Sequence, residues 1–368
     1  MPDAALLAPH PHDAGTAPSA TRSVSHVELL AVAQEAAWDA YVSRHPDGTI
    51  FHTLAWRNAV RATFNHEHCY LAAWCGQTLV GVLPLTLIAS RLTGRRLTSV
   101  PYAVAGGILA DDADTAQALF RRARELAVEQ RCTLLELRSA RAGVAELPVL
   151  DRYVGFQRIL PTTPAEVLGW LPRKARAAAR NARDKFGLTA RFADEHLGTV
   201  WRLYACSMRR LGSINYPRRF FEELVARTPG QHWVSLIEWN GAPVAGLLTL
   251  LFRDTVLPYF VGVADAARVC HAANYVYLTL MERAVEYGYR VFDFGRTRRD
   301  NSGSYDFKRF HGFEPRPLQY QQYRPAGARA TDWSPTNPRL QWGRRLWPRL
   351  PLCITRPLGA YLARHLPG

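Results

Sequence analysis

Two apolar runs, 233–239 and 242–251, meet at Asn240-Gly241, and this dipeptide constrains the fold more than any other short feature of the chain. A two-residue hairpin turn needs positive φ at its centre, which Asn and Gly adopt at little cost. An antiparallel pair is therefore predicted, and the run 255–263 extends it to a meander. Apolar residues three and four apart predict helices over 195–211 and 218–227 before the meander and over 271–287 after it, with a strand at 291–294. The same order occurs earlier in the chain. Helical spacing over 27–42 and around Trp56 leads to strands at 70–74, 78–88 and 96–100, with turns at Gly76-Gln77 and Thr93-Gly94. Gly106-Gly107 and Asp111 then precede a helix over 115–130 and a strand over 133–138. Two rounds of one topology predict an α/β (α+β) fold of tandem domains, each a mixed, mainly antiparallel sheet flanked by helices. The predicted division is a disordered leader 1–24, a domain 25–165, a basic connecting helix 166–190, a domain 191–325 and a basic Trp/Arg/Pro-rich tail 326–368.

Two cores of moderate size suit 368 residues, and 48% hydrophobic with 11% aromatic content excludes general disorder. A formal charge of +15 sets up a positive field that attracts phosphates, nucleic acid or anionic lipid. Cys69, Cys75, Cys132, Cys206, Cys270 and Cys353 are scattered without a CxxC or a His-rich spacing. That pattern is neither a zinc site nor a disulfide framework, so no metal and a reducing compartment are expected. The first two dozen residues lack the layout of a signal peptide, and no apolar stretch reaches the roughly 18 residues of a membrane span. A cytoplasmic protein, with peripheral contact to the inner membrane face, is the expectation.

The segment Phe292-Asp293-Phe294-Gly295-Arg296-Thr297-Arg298-Arg299-Asp300-Asn301-Ser302-Gly303-Ser304-Tyr305-Asp306-Phe307-Lys308-Arg309-Phe310-His311-Gly312-Phe313 carries the richest chemistry. It reads as a short strand running into a polar, Arg-loaded loop that presents Tyr305 and Lys308 and closes on aromatic residues. Arg296, Arg298 and Arg299 suit bidentate contacts to phosphate or diphosphate. Tyr305 can protonate a leaving group, or merely pack; Asp293 can accept a proton from an amine, orient Arg296, or cap the loop.

This segment resembles the signature of the FemAB-like acyltransferases of the GNAT superfamily, and within them the FemAB proteins associated with the PEP-CTERM/exosortase system, whose domain is BioF2-like. The resemblance runs from Ile50-Phe51-His52-Thr53-Leu54-Ala55-Trp56-Arg57 to Ser334-Pro335-Thr336-Asn337-Pro338. It implies two GNAT-like domains and acyl or aminoacyl transfer to an amine. Its aromatic-Lys pair falls on Phe307 and Lys308, which ties Lys308 to catalysis, as a cation or as a proton carrier, and Phe307 to the substrate. The implied acceptor is an anionic precursor of a cell-envelope glycan, exopolysaccharide or peptidoglycan-type polymer. No cofactor is bound permanently; the donor enters as a co-substrate, aminoacyl-tRNA or acyl-CoA.

A standard acetyltransferase grips the coenzyme A diphosphate with a glycine-bearing loop between strand and helix. Here the stretch 263–274 contains no glycine, which favours a donor held by side chains. Arg173, Arg176, Arg180 and Arg183 follow helical steps and predict a cationic stripe, with Arg176 and Arg180 assigned to substrate or tRNA. Its bland alternative is a solvated helix face. Tyr102, at a strand end before Gly106-Gly107, is expected to line a groove, His52 to be structural, and Trp56 to be core. The tail past Asp332 holds no acidic residue but many Arg and Trp, as an amphipathic anchor on anionic lipid does; a tail wrapped on the first domain is the alternative. Two further functions stay open: acyl-CoA-dependent N-acylation of an exopolysaccharide sugar, and a non-catalytic accessory role in the exopolysaccharide/PEP-CTERM system.

Overall fold

The computed structural model describes residues 24–90, 92–141, 143–328 and 343–366. In the first half, β1 (His26–Leu29), α1 (Glu35–Arg44) and α2 (Leu54–Phe64) precede β2 (Glu67–His68), β3 (Leu71–Cys75), β4 (Thr78–Leu83), β5 (Thr86–Ser90), β6 (Gly94–Ser99), β7 (Leu109–Ala110), α3 (Ala113–Glu129) and β8 (Leu134–Ser139). The stretch 27–42, predicted as one helix, is instead β1, a turn and α1. β1 pairs antiparallel with β3 from His26↔Trp74 to Leu29↔Leu71, and this tertiary pairing overrides the helical spacing. The strand predicted over 78–88 is broken at Pro84, which has no N–H to give to a ladder. β4 joins β1, β3 and β7, whereas β5 joins β2, β6 and β8 in a different sheet. α3 begins where expected, the Asp112 carboxylate accepting the Thr115 N–H at 2.7 Å.

β9 (Tyr153–Ile159) closes the first half, and the second half comprises α4 (Pro164–Trp170), α5 (Arg173–Arg180), β10 (Thr189–Phe192), α6 (Leu197–Arg210), α7 (Arg218–Arg227), β11 (His232–Trp239), β12 (Ala242–Phe252), β13 (Thr255–Val263), α8 (Ala272–Glu286), β14 (Val291–Arg298), α9 (Ser302–Phe310), β15 (Pro315–Pro317) and β16 (Gln319–Tyr323). Its seven-stranded sheet has the order β10-β11-β12-β13-β14-β9-β15. Asn240 and Gly241 take φ of 51° and 75°, as the hairpin requires. α4, α5 and α8 cover one face of this sheet around Met281, Phe292 and Phe294. α6 and α7 cover the other, where Phe220 packs against Trp56 and Phe64 of α2 with ring centroids 5.6 and 5.1 Å apart. That core is shared by both halves.

The halves also exchange strands. β9 precedes the second half in sequence yet lies between β14 and β15, and β16 leaves the second half to edge β8, with Tyr320 opposite Arg138. Neither sheet is complete without its neighbour's strand. Within the second sheet, β13 and β14 run parallel but pair only at Thr255↔Val291 and Val256↔Phe292. Beyond that point they diverge, β13 following β12 to Val263 and β14 following β9 to Arg298. A gap therefore opens toward the C-terminal ends of the two strands.

α6 lies directly on β13, because a Cβ added at Gly262 would sit 2.1 Å from the Tyr204 nitrogen and 2.3 Å from the Leu203 carbonyl carbon. Helix and strand must part to admit a methyl group. Gly262→Ala is expected to cost about 2–4 kcal/mol of stability, read as a lowered thermal midpoint with secondary structure retained. An unchanged midpoint would contradict this contact.

Candidate active site

Across the β14–β9 ladder, Asp293 faces Gln157 and Arg296 faces Gly155, so β14 advances three residues while β9 advances two. That extra residue is a β-bulge. Gly295 supplies it with φ of 67°, and a Cβ there would press on Val104 at 3.3 Å. Asp293 fixes the distortion: one carboxylate oxygen accepts the Gly295 N–H at 2.7 Å and the other accepts Gln157 Nε2 at 2.8 Å. Burial pushes the Asp293 carboxyl up, against these two hydrogen bonds and the attraction of Lys308.

The bulge turns two carbonyls away from the ladder, and Lys308 takes both. Its Nζ donates to Gly295 O at 3.2 Å and to Arg296 O at 3.1 Å. The segment 302–310, expected to be loop, is the helix α9, capped by Asn301, whose side chain accepts the Ser304 N–H at 3.4 Å. On that helix Tyr305 and Lys308 are three residues apart and so share a face. Both meet Phe156: the Tyr305 ring stands edge-on at 5.5 Å, and Lys308 Nζ lies 5.2 Å from the ring centroid. Lys308 is only 7% exposed, and its pKa is lowered from 10.5 to about 7, by burial first, with Asp293 acting against the shift and Arg296 adding to it. A neutral amine has two N–H groups and one lone pair. With both N–H groups on the bulge carbonyls, the lone pair occupies the place where the ammonium form carries its third proton.

Arg296 leaves the bulge on a different course. Its Nη1 donates to the Tyr320 hydroxyl at 3.2 Å, and its guanidinium lies over the Tyr153 ring at 4.9 Å. No carboxylate lies within ion-pair distance of it among the described residues. The half-buried side chains of Tyr216 and Tyr259 and the carboxylate of Glu136 border the same space. Burial opposes the charge of Glu136, yet Arg138, at 2.6 Å, together with Arg296 and Arg96 holds its carboxyl below the usual range. Arg296 thus has N–H donors to spare in a recess lined from both halves.

The other candidates are occupied elsewhere. Arg298 is paired with Asp300 at 2.6 Å and Arg299 with Asp151 at 2.6 Å. Phe307 packs on Tyr277 and His311, with centroids 5.6 and 4.4 Å apart. On α5, Ala175 and Ala179 face the core while Arg173, Lys174 and Arg180 are exposed, and Arg176 donates to Gly169 O at 3.1 Å. Tyr102 is 2% exposed and does not line a groove: its hydroxyl bonds His66 Nε2 at 2.8 Å and Ala363 O at 3.1 Å, and its carbonyl accepts the Tyr259 hydroxyl. Gly106-Gly107 answers to packing, since Cβ atoms there would meet Val100 at 2.5 Å and Ser139 Oγ at 2.1 Å. His52 Nε2 donates to Gly107 O at 3.1 Å, and burial lowers its pKa to about 4. The cavity beside it, of ≈ 20 Å³, has room for one water.

Gln157, Phe156 and the Tyr153–Tyr320 pair belong to the site but carry no motif; only the strand pairing of β9 and β16 brings them in. His311, inside the segment 292–313, packs on Phe294 and Phe307 beside them. Its Nδ1 donates to Phe307 O at 2.8 Å, while its buried Nε2 has no partner and burial lowers its pKa to about 4.

The folded pKa of Lys308 lies below its unfolded value of 10.5. Between these values the unfolded chain binds more protons, so this residue's contribution to stability improves with rising pH across that window and is least favourable below about pH 7. Lys308→Met removes the dependence. The stability of the variant minus that of the wild type is expected to fall by about 2–3 kcal/mol between roughly pH 7 and 9, measured by denaturant titration at each pH. A constant difference would mean that the ammonium is not buried.

Residues 172–309 match the acetyltransferase (GNAT) domain family. Among solved structures, FemX is similar over 82% of this chain and 97% of its own, with 14% identity and a TM-score of 0.64. A tandem GNAT protein from the clavulanic acid biosynthesis pathway is similar over 83% of this chain and 99% of its own, at 16% identity and a TM-score of 0.54. L-PGS from Bacillus licheniformis is similar over 88% and 98%, at 16% identity and 0.51. No curated protein sequence matches. Residues 172–309 are therefore an acyltransferase domain of the GNAT type, set in a chain with the FemAB-like tandem GNAT fold.

Proposed function

We propose that this acyltransferase moves an acyl or aminoacyl group onto an amine of an anionic cell-envelope precursor, a glycan, exopolysaccharide or peptidoglycan-type building block. The observation that carries the reading is Lys308, buried at the bulge, poised near neutrality, with one position of its nitrogen unused. The donor carbonyl lies in the gap between β13 and β14, where the edge of β13 past Val256 has no ladder partner in β14 and, Pro258 apart, carries backbone N–H groups that a developing oxyanion can use. The acceptor amine attacks the carbonyl carbon, and its proton passes to the Lys308 lone pair. Collapse of the adduct breaks the bond to the leaving oxygen or sulfur, which takes that proton back from the Lys308 ammonium. Arg296 holds the acceptor's phosphate or carboxylate, because of Arg296, Arg298 and Arg299 it alone forms no ion pair among the described residues.

The glycine-free turn before α8 and the exposed cations Arg173, Lys174 and Arg180 on α5 support a donor held by side chains, as aminoacyl-tRNA would be. The match of residues 172–309 to an acetyltransferase domain favours acyl-CoA as the second reading. Purified protein incubated with an envelope-precursor extract and either charged tRNA or CoA thioesters separates the two by the mass added to the acceptor. With the productive pair in hand, Lys308→Met is expected to lower turnover by about 10²–10⁴ while precursor binding is retained. Turnover of the wild type should rise with pH through about 7 as Lys308 loses its proton. Wild-type turnover in Lys308→Met, or the opposite pH slope, would remove Lys308 from proton transfer.

A further inference from the structure

The helix Leu352–His365 has its sides reversed relative to an ordinary surface helix. Thr355, Gly359 and Ala363 are its buried residues, and they are small. Ile354, Leu358 and Tyr361, at i, i+4 and i+7, form an outward row and are 46, 39 and 61% exposed. The small face lets the helix lie close against both halves. A Cβ at Gly359 would sit 2.4 Å from Asn215 Oδ1, Thr93 donates to His365 O at 3.2 Å, and Tyr102 donates to Ala363 O at 3.1 Å. Docking of the helix thus uses its small side and leaves the large apolar side chains to water, at a standing hydrophobic cost. Among the described residues nothing covers this row.

The charge around the row identifies the partner. Residues 343–366 contain five arginines, Arg344, Arg345, Arg349, Arg356 and Arg364, and no acidic residue. Arg345, Arg349 and Arg364 are exposed and form no ion pair among the described residues. Leu211, 62% exposed at the end of α6, adds to the patch, since the adjoining Gly212 abuts the Arg344 carbonyl. Tyr361, an aromatic with a polar tip, suits the boundary between acyl chains and headgroups. A second copy of the chain would bring a second set of like charges to the same face. Anionic lipid neutralises them and covers the apolar row together.

We propose that Ile354, Leu358 and Tyr361, with Arg345, Arg349 and Arg364, form a docking face for an anionic lipid bilayer, so that the enzyme works at the membrane surface. None of these residues contacts Lys308, so docking and turnover are measured separately. The full chain is mixed with vesicles of phosphatidylcholine, or of phosphatidylcholine with phosphatidylglycerol, and bound protein is read by cosedimentation. Binding is expected only with phosphatidylglycerol, and it should weaken as salt is raised. Ile354→Ser/Leu358→Ser/Tyr361→Ser and, separately, Arg345→Gln/Arg349→Gln/Arg364→Gln are each expected to lower partitioning about tenfold or more with the thermal midpoint unchanged, since none of these side chains is buried. Equal binding to both vesicles, full binding by either variant, or a dimer in solution that only the Ser variant dissolves would each overturn the proposal.

Discussion

Everything distinctive about the site follows from one extra residue in β14. A regular strand would aim the Gly295 and Arg296 carbonyls at a neighbouring strand; the bulge aims them at Lys308 instead. Asp293 and Gln157 hold the distortion with two side-chain hydrogen bonds, so the lysine meets a fixed pair of acceptors. The two carbonyls satisfy the amine without neutralising it. A carboxylate in direct contact would have kept the lysine charged, whereas carbonyl dipoles under burial leave its pKa near 7, where a proton can be both taken up and given back.

The arginines divide by the same logic. Arg210, Arg218, Arg219, Arg298 and Arg299 each reach a carboxylate, so the high positive charge is locally answered over much of the second half. In direct contact Arg296 meets tyrosines, which supply π-faces and a hydroxyl, while the Glu136 carboxylate bordering the recess is already paired with Arg138. A desolvated cation with donors left over attracts an anion more strongly than an exposed paired one. Net charge alone therefore says little about where an anionic substrate binds; the distribution of carboxylates says more.

Most of the second half was legible from sequence because its signals are local. Asn240-Gly241 sets the hairpin, and α6, α7 and α8 have apolar faces that repeat at helical spacing over two turns or more. The failures occurred where distant pairing decides. The apolar residues of β1 suit either period, and only pairing with β3 selects the strand. Ser302-Gly303-Ser304 carries low helix propensity and suggests a loop, and the Asn301 cap and aromatic packing of α9 outweigh that. β9 and β16 are ordinary short strands whose importance lies wholly in their adoption by the opposite sheet. The motif marks Lys308, but not the bulge that surrounds its amine with carbonyls, since a lone glycine after Phe294 has many uses.

The strand exchange gives the site its dependence on the whole chain. Arg296 comes from β14, but Tyr153 beneath it arrives with β9 and Tyr320 with β16, so the recess forms only when each half has accepted the other's strand. The C-terminal helix extends the same coupling, since Tyr102 bonds its Ala363 carbonyl on one side and receives the Tyr259 hydroxyl on the other. Separating the halves would expose two unpaired sheet edges and the shared core around Trp56 and Phe220. Two tandem domains of related topology are thereby joined through shared sheets and a shared core, with the recess at Arg296 lined from both halves.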